Sequence, residues 1–131
     1  MTRRPGASPP AWIPRDESGP QLLACGELFD AVRVRVGLAP YVLARLNSAS
    51  GPVIQDACVW TWLVEPGSAR KWSVRGAEIA FGDGAVLVPP LRPEPRTLPR
   101  WILPGATPTY LTDPGPLRAA LTALAGGPHD A

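Results

Sequence analysis

The residues best suited to chemistry in this sequence are four basic side chains. Arg33 and Arg35 stand two residues apart in the alternating stretch of residues 27–36. A β-strand there would place both arginines on one face. Lys71 and Arg75 follow in a second basic segment. Cations collected on a sheet face are typical of phosphate binding, so we take Arg33, Arg35, Lys71 and Arg75 as candidate nucleic-acid-binding residues.

The same arginines also have a purely structural interpretation. On a solvated strand face they would pair with Glu27 or Glu78, and surface pairs of this kind are common and weak. The net charge of +2 is too small to indicate nucleic-acid binding by itself. Trp60 or Trp72 could stack on bases beside the arginines, but tryptophans of a sheet more often lie in the core. Both interpretations stay open on the sequence alone, and the small net charge favours the structural one.

Acidic and nucleophilic residues offer less. An enzyme with a rearranged acidic site would use Asp30, Glu78 and Asp83, although Asp83 in a Gly-Asp-Gly segment is typical of a turn. The only histidine is His129, close to the end of the sequence, where chains fray. Ser-His-Asp catalysis, Cys-His catalysis and zinc held by histidine are therefore disfavoured. We predict no metal site and no cofactor.

Cysteine use and hydropathy indicate the environment. Cys25 and Cys58 are the only cysteines, and no apolar leader segment precedes them. Two isolated cysteines are typical of reduced, buried and inert thiols in a cytoplasmic protein. No stretch approaches the roughly 18 apolar residues that a membrane span requires, so we expect no membrane partner.

Length and composition predict one globular domain. The chain has 131 residues, of which 45% are hydrophobic. Its 18 prolines and 13 glycines predict short elements and many connections. Residues 1–20 are expected to form a flexible, Pro-rich arm, whose apolar residues Trp12 and Ile13 could dock on the domain. Residues 21–126 would form a single domain, and residues 127–131 a frayed tail.

The periodicity predicts an α+β fold with two helices and one mixed sheet of about five to six strands. One helix covers residues 39–50, with Pro40 in its first turn. The other begins at Thr112 or Asp113 and carries a stripe of leucines. The expected strands are residues 27–36, 53–54, 58–64, 78–81, 85–88 and 101–103.

Two of these strands flank a Gly-Asp-Gly segment and predict a β-hairpin. The run of apolar residues 86–88 predicts cover on both faces of its second strand, which Pro89 and Pro90 must end. We expect the whole hairpin to lie in the same sheet as residues 29–36. Separate sheets for these two segments would remove the family interpretation that follows.

Three landmarks resemble the N-terminal prim-pol domain of bifunctional DNA primase/polymerases, in the archaeo-eukaryotic primase superfamily. The third is the most specific, because it combines an acidic residue with Ile, a Gly-rich turn, four apolar residues, a proline pair and a later tryptophan. The resemblance covers about residues 24–104 and implies an α+β sheet similar to an RNA-recognition motif. The landmarks are residues 26–34; residues 51–53 with 62–67; and Glu78-Ile79, Gly82-Asp83-Gly84, Pro89-Pro90 and Trp101.

The chain departs from this family where the chemistry should be. Active members carry two carboxylates two residues apart on the opening strand, and these hold two metal ions. Here Arg33 and Arg35 stand on the corresponding face, the family's histidine falls near Val59, and its basic residue falls on Ala80. Glu78 is the only acidic motif position kept. The resemblance thus implies a primase/polymerase-like domain without polymerase activity.

The partner implied by the resemblance is single-stranded DNA or a replication protein. The alternative is a protein–protein interaction module on the same fold that binds no nucleic acid.

Overall fold

The computed structural model describes residues 9–93, 97–102 and 109–125. It shows an α+β fold with two α-helices, as the periodicity predicts. Two short 3-10 turns, Asp16–Ser18 and Asn47–Ala49, accompany the regular elements. These elements are β1 (Gln21–Ala24), β2 (Asp30–Arg35), α1 (Ala39–Leu46), β3 (Val53–Gln55), β4 (Val59–Val64), β5 (Ala77–Ala80), β6 (Ala85–Val88), β7 (Arg100–Ile102) and α2 (Pro114–Leu124).

Five strands form the main sheet in the order β5-β2-β4-β3-β7, and every neighbouring pair is antiparallel. β2 lies between β5 and β4, with Val32 opposite Ile79 on one side and Trp62 on the other. β1 and β6 form a separate two-stranded antiparallel sheet, in which Leu22 faces Leu87.

The two faces of the main sheet are covered differently. Val32 and Val34 of β2 belong to a core shared with both helices, including Val42 of α1 and Leu117 and Leu121 of α2. We call this the helix face. The opposite face contributes to a second core together with the β1–β6 sheet, and we call it the arginine face because Arg33 and Arg35 alternate onto it. The buried residues of this second core include Ala31, Ile54, Leu63 and Trp101 of the main sheet and Val86 and Val88 of β6.

The predicted hairpin is wrong as a pairing, although its turn is present. Gly84 N–H donates to the Phe81 carbonyl at 3.0 Å, and Gly82 has a φ of 59°, a conformation that favours glycine. β5 pairs with β2 in the main sheet, as expected, but β6 pairs with β1 in the other sheet. The physical reason is that the second core needs a layer of side chains above it. Val86 and Val88 of β6 are buried in that core. If β6 were added to the edge of the main sheet instead, the second core would be exposed.

Cover of β6 on both faces is also wrong, because Leu87 is 42% exposed. The sequence did not predict β1, because the strand with which it pairs lies more than 60 residues away along the chain. The expected docking of Trp12 is confirmed. The centroid of its ring lies 5.2 Å from that of Phe29 and 6.5 Å from that of Tyr110, and both pairs are arranged edge to face.

The helix boundaries follow local chemistry. α1 begins at Ala39 with Pro40 in its first turn, but it ends at Leu46 and continues to Ala49 only as a 3-10 turn. Asp113 caps α2, and its carboxylate accepts a hydrogen bond from Gly115 N–H at 3.1 Å. Leu103, His129 and the expected tail of residues 127–131 lie outside the described residues.

None of the helices within the described residues is long and apolar enough to cross a membrane.

Candidate functional site

The β1–β6 sheet covers only part of the arginine face, and the remaining part carries Arg33 and Arg35. In the strand register Arg33 lies opposite Thr61 of β4 and Glu78 of β5, and Arg35 lies opposite Val59 of β4. A cavity of about 480 Å³ opens at this place. We call it the basic cavity. Its lining residues are Arg33, Arg35, Val59, Arg75, Gly76, Ala77 and Glu78.

The charges around the basic cavity favour an anion. Three arginines line it, against the single carboxylate of Glu78. Arg33 Nη1 lies 3.9 Å from Glu78 Oε1, so the structural pairing that the sequence allowed is present. The Glu78 side chain is 78% exposed, and an ion pair so open to water is strongly screened. The cavity therefore keeps an excess of positive charge.

Arg33 also has a structural contact that the sequence did not indicate. Its Nη2 donates to the carbonyl oxygen of Ala85, the first residue of β6. This hydrogen bond connects the main sheet to the small sheet that partly covers it. Arg35 and Arg75 are more exposed than Arg33 and form the outer part of the cavity wall.

The other candidates for nucleic-acid binding lie elsewhere. Lys71 is exposed but does not line the basic cavity. Trp60 is buried in the core of the helix face, and Trp72 packs against that same core. Trp60 therefore lies on the face opposite Arg33 and Arg35, where it cannot stack on a base beside them. The alternative for Trp60, a place in the core, is confirmed.

The three acids do not come together. Asp30 is fully buried, and its Oδ2 accepts hydrogen bonds from Gly67 N–H at 2.7 Å and from Arg70 Nε at 3.3 Å. Glu78 lies on the arginine face, and Asp83 is exposed in the turn before β6. Within the part of the chain that the structure describes, no three or more His, Cys, Asp or Glu side chains are grouped to hold a metal. The rearranged acidic site is thus not assembled from these residues.

The two cysteines differ, and only one fits the sequence expectation. Cys25 is buried, and burial, followed by the nearby charge of Asp30, raises the pKa of its thiol. Cys58 is exposed, so the expectation that both thiols are buried is wrong. The Asp56–Ala57 turn just before β4 is the local signal for this exposure, because turn residues lie at the surface.

Cys58 lines a second cavity, of about 690 Å³, which shares Arg35, Val59 and Gly76 with the basic cavity. We call it the apolar cavity, because aliphatic side chains dominate its wall. Its lining residues are Arg35, Val36, Gly37, Leu38, Ala57, Cys58, Val59 and Gly76. No alternation or motif in the sequence marked this cavity, since its wall combines the loop after β2 with the loop before β4.

Comparison of the chain with protein-family models, with curated proteins and with solved structures finds no match. The resemblance to prim-pol domains therefore depends on the three sequence landmarks alone. The hairpin that carries the third landmark meets the sheet expectation only in part, because β5 lies in the sheet of β2 and β6 does not.

Proposed function

We propose that this chain is a non-catalytic nucleic-acid-binding domain that holds the phosphates of a single strand in the basic cavity. The observation that carries the proposal is the convergence of Arg33, Arg35 and Arg75 on one cavity with a single carboxylate. A guanidinium presents paired N–H donors that match phosphate oxygens, and it stays charged at any physiological pH.

A single strand suits this site better than a duplex. Grooves that bind single strands follow the backbone with a few cations and leave the bases accessible to neighbouring surfaces. The small net charge of +2 provides little attraction beyond the cavity itself. Binding should accordingly be weak and sensitive to salt.

We also propose that the domain is a short, degenerate relative of prim-pol domains that has lost metal-dependent polymerisation. The proposal is supported by β2, which presents Arg33 and Arg35 where active members present two carboxylates. Repulsion between one arginine and a divalent ion about 4 Å away is roughly 8 kcal/mol at an effective dielectric of about 20. Glu78 at the same distance would offset the repulsion of one arginine only, and that of the second arginine would remain.

The binding test is fluorescence anisotropy of a labelled oligodeoxythymidylate, titrated at several salt concentrations. The double variant Arg35→Ala/Arg75→Ala should weaken binding and flatten the plot of log affinity against log salt by about 1.4, since each phosphate contact on a single strand contributes about 0.7. Arg33 is left unchanged because of its contact with β6.

The matched control is Arg45→Ala/Arg118→Ala. It removes the same charge from exposed positions of α1 and α2, on the helix face. The control should keep the original salt slope. Absence of binding at low salt, or an equal loss in both double variants, would refute the proposed site.

A second candidate function is a protein-interaction module, and one observation favours it. Leu22 and Leu87 face each other on the small sheet and are 70% and 42% exposed. Exposed apolar pairs of this kind are found where proteins associate. If no oligonucleotide binds, sedimentation of the unaltered protein beside Leu22→Lys tests self-association through this surface, and identical monomeric profiles would exclude it.

A further inference from the structure

We propose that the apolar cavity receives the base of the nucleotide whose phosphate lies in the basic cavity. The inference rests on the proposed function and specifies what the site recognises. The two cavities share Arg35, Val59 and Gly76 in their walls, so they adjoin each other. Because Arg35 lines both, a ligand held by its phosphate at Arg35 has the apolar cavity beside it.

The apolar cavity has the composition expected for the uncharged part of an anionic ligand. Val36, Leu38, Ala57 and Val59 contribute aliphatic groups, and no carboxylate is among its lining residues. Its one cation, Arg35, stands at the boundary with the basic cavity, where its guanidinium plane can lie against a base or bind the attached phosphate. Both volumes fall within the range of about 300–1,000 Å³ that small-molecule sites occupy.

The shape of the apolar cavity favours a flat base over an acyl chain. Val36 is 44% exposed and Cys58 is exposed, so part of the wall is open to solvent. An acyl chain needs an enclosed apolar channel to bury its length, whereas a base is a flat group with polar edges that can stay in water. The arginines that line the basic cavity also present paired N–H donors that match the two free oxygens of a phosphodiester.

The wall also predicts that the site discriminates poorly between bases. Apart from Arg35 and the weakly polar thiol of Cys58, its side chains offer no hydrogen-bond donor or acceptor to a base edge. Readout of a base requires such groups at fixed positions. Oligomers of thymidine and of adenosine should therefore bind with similar affinity.

Cys58 allows a direct test, because it lies in the apolar cavity and its thiol is exposed. Cys25 is buried with a raised pKa and should not react, which the variant Cys58→Ser verifies. The rate of Cys58 alkylation by iodoacetamide is measured alone, with an oligodeoxythymidylate, with an abasic oligomer of equal length, and with palmitate. Each compound is used at about ten times its dissociation constant where it binds.

The intact oligomer should slow alkylation about tenfold, which is the factor expected from the unbound fraction of one site. The abasic oligomer should bind through its phosphates with little protection of Cys58. The variant Ala57→Trp places a large ring in the apolar cavity from an exposed position. It should weaken the intact oligomer about tenfold relative to the abasic one, the low end of the contribution of one stacked base.

The outcomes separate the two proposals. If both oligomers bind with the salt dependence described above but neither protects Cys58, or both protect it equally, the base does not occupy the apolar cavity, and phosphate binding still stands. Stronger protection by palmitate than by the oligomer would assign the cavity to lipid anions and overturn the inference. If neither oligomer binds, the proposed function fails and the inference fails with it.

Discussion

Replacing Arg33 with methionine should destabilise the protein chiefly by loosening the contact between its two sheets. Methionine keeps an unbranched apolar side chain about as long as the stem of arginine, so the packing of that stem changes little. The variant removes the charged donor that reaches the Ala85 carbonyl and the ion pair with Glu78. These two losses can be separated, because they involve different partners.

The first loss should be the larger. A hydrogen bond from a charged donor stabilises a fold by about 1.5–3 kcal/mol, and the Arg33 side chain is 30% exposed, which favours the lower part of that range. The pair with Glu78 is long and open to water, so it contributes no more than about 0.5 kcal/mol. We expect Arg33→Met to lower the free energy of unfolding by about 2 kcal/mol. In a domain of this size that corresponds to a melting temperature lower by roughly 8 °C.

Urea unfolding followed by tryptophan fluorescence measures this change, and the buried Trp62 and Trp101 report on the two cores. The matched control is Glu78→Gln, which removes the ion pair and leaves the contact between Arg33 and Ala85. It should lower the free energy of unfolding by no more than about 0.5 kcal/mol. Equal losses in Arg33→Met and Glu78→Gln would show that the connection from β2 to β6 does not stabilise the fold.

Three further outcomes follow from the structure. Trp62→Phe should lower the free energy of unfolding by about 2–3 kcal/mol in urea, because it removes the buried hydrogen bond from Nε1 to Ser50 Oγ, 3.0 Å long, and leaves a cavity; a loss below 1 kcal/mol would contradict this. Burial raises the pKa of the Cys25 thiol above its ordinary value of 9.0, so the folded protein keeps that proton as the pH rises while the unfolded chain loses it. Stability should therefore be full below about pH 9 and fall above it, and a melting-temperature profile of Cys25→Ala should be flatter in that range; identical profiles would refute the assignment. The protein should incorporate no labelled nucleotide on a primed template with Mg²⁺ or Mn²⁺; metal-dependent product that Glu78→Ala abolishes would show that a working site exists.

The sequence by itself determined the features that depend on local periodicity and local chemistry. Strict alternation in β2 placed Val32 and Val34 on one face and Arg33 and Arg35 on the other, because side chains of a strand alternate whatever it pairs with. Likewise, Asp113 can cap α2 because the cap needs only a carboxylate two residues before the backbone N–H from which it accepts a hydrogen bond.

Only the tertiary structure decided which residues meet across long separations. Arg75 joins Arg33 and Arg35 because the chain before β5 returns to the uncovered end of the arginine face, while Lys71 in the same basic segment does not. Asp30 accepts a hydrogen bond from Arg70, which is 40 residues away in the sequence.

The pairing of β6 also depends on contacts between residues that are far apart in the sequence. The Gly-Asp-Gly turn allowed a hairpin, but it does not specify which strand the next residues join. Burial of Val86 and Val88 over the arginine face decided that β6 pairs with β1. This choice leaves one end of the face uncovered. The cavities at that end exist because the β1–β6 sheet stops short of it. The local sequence around Arg33 and Arg35 cannot indicate where a strand from a distant part of the chain will lie.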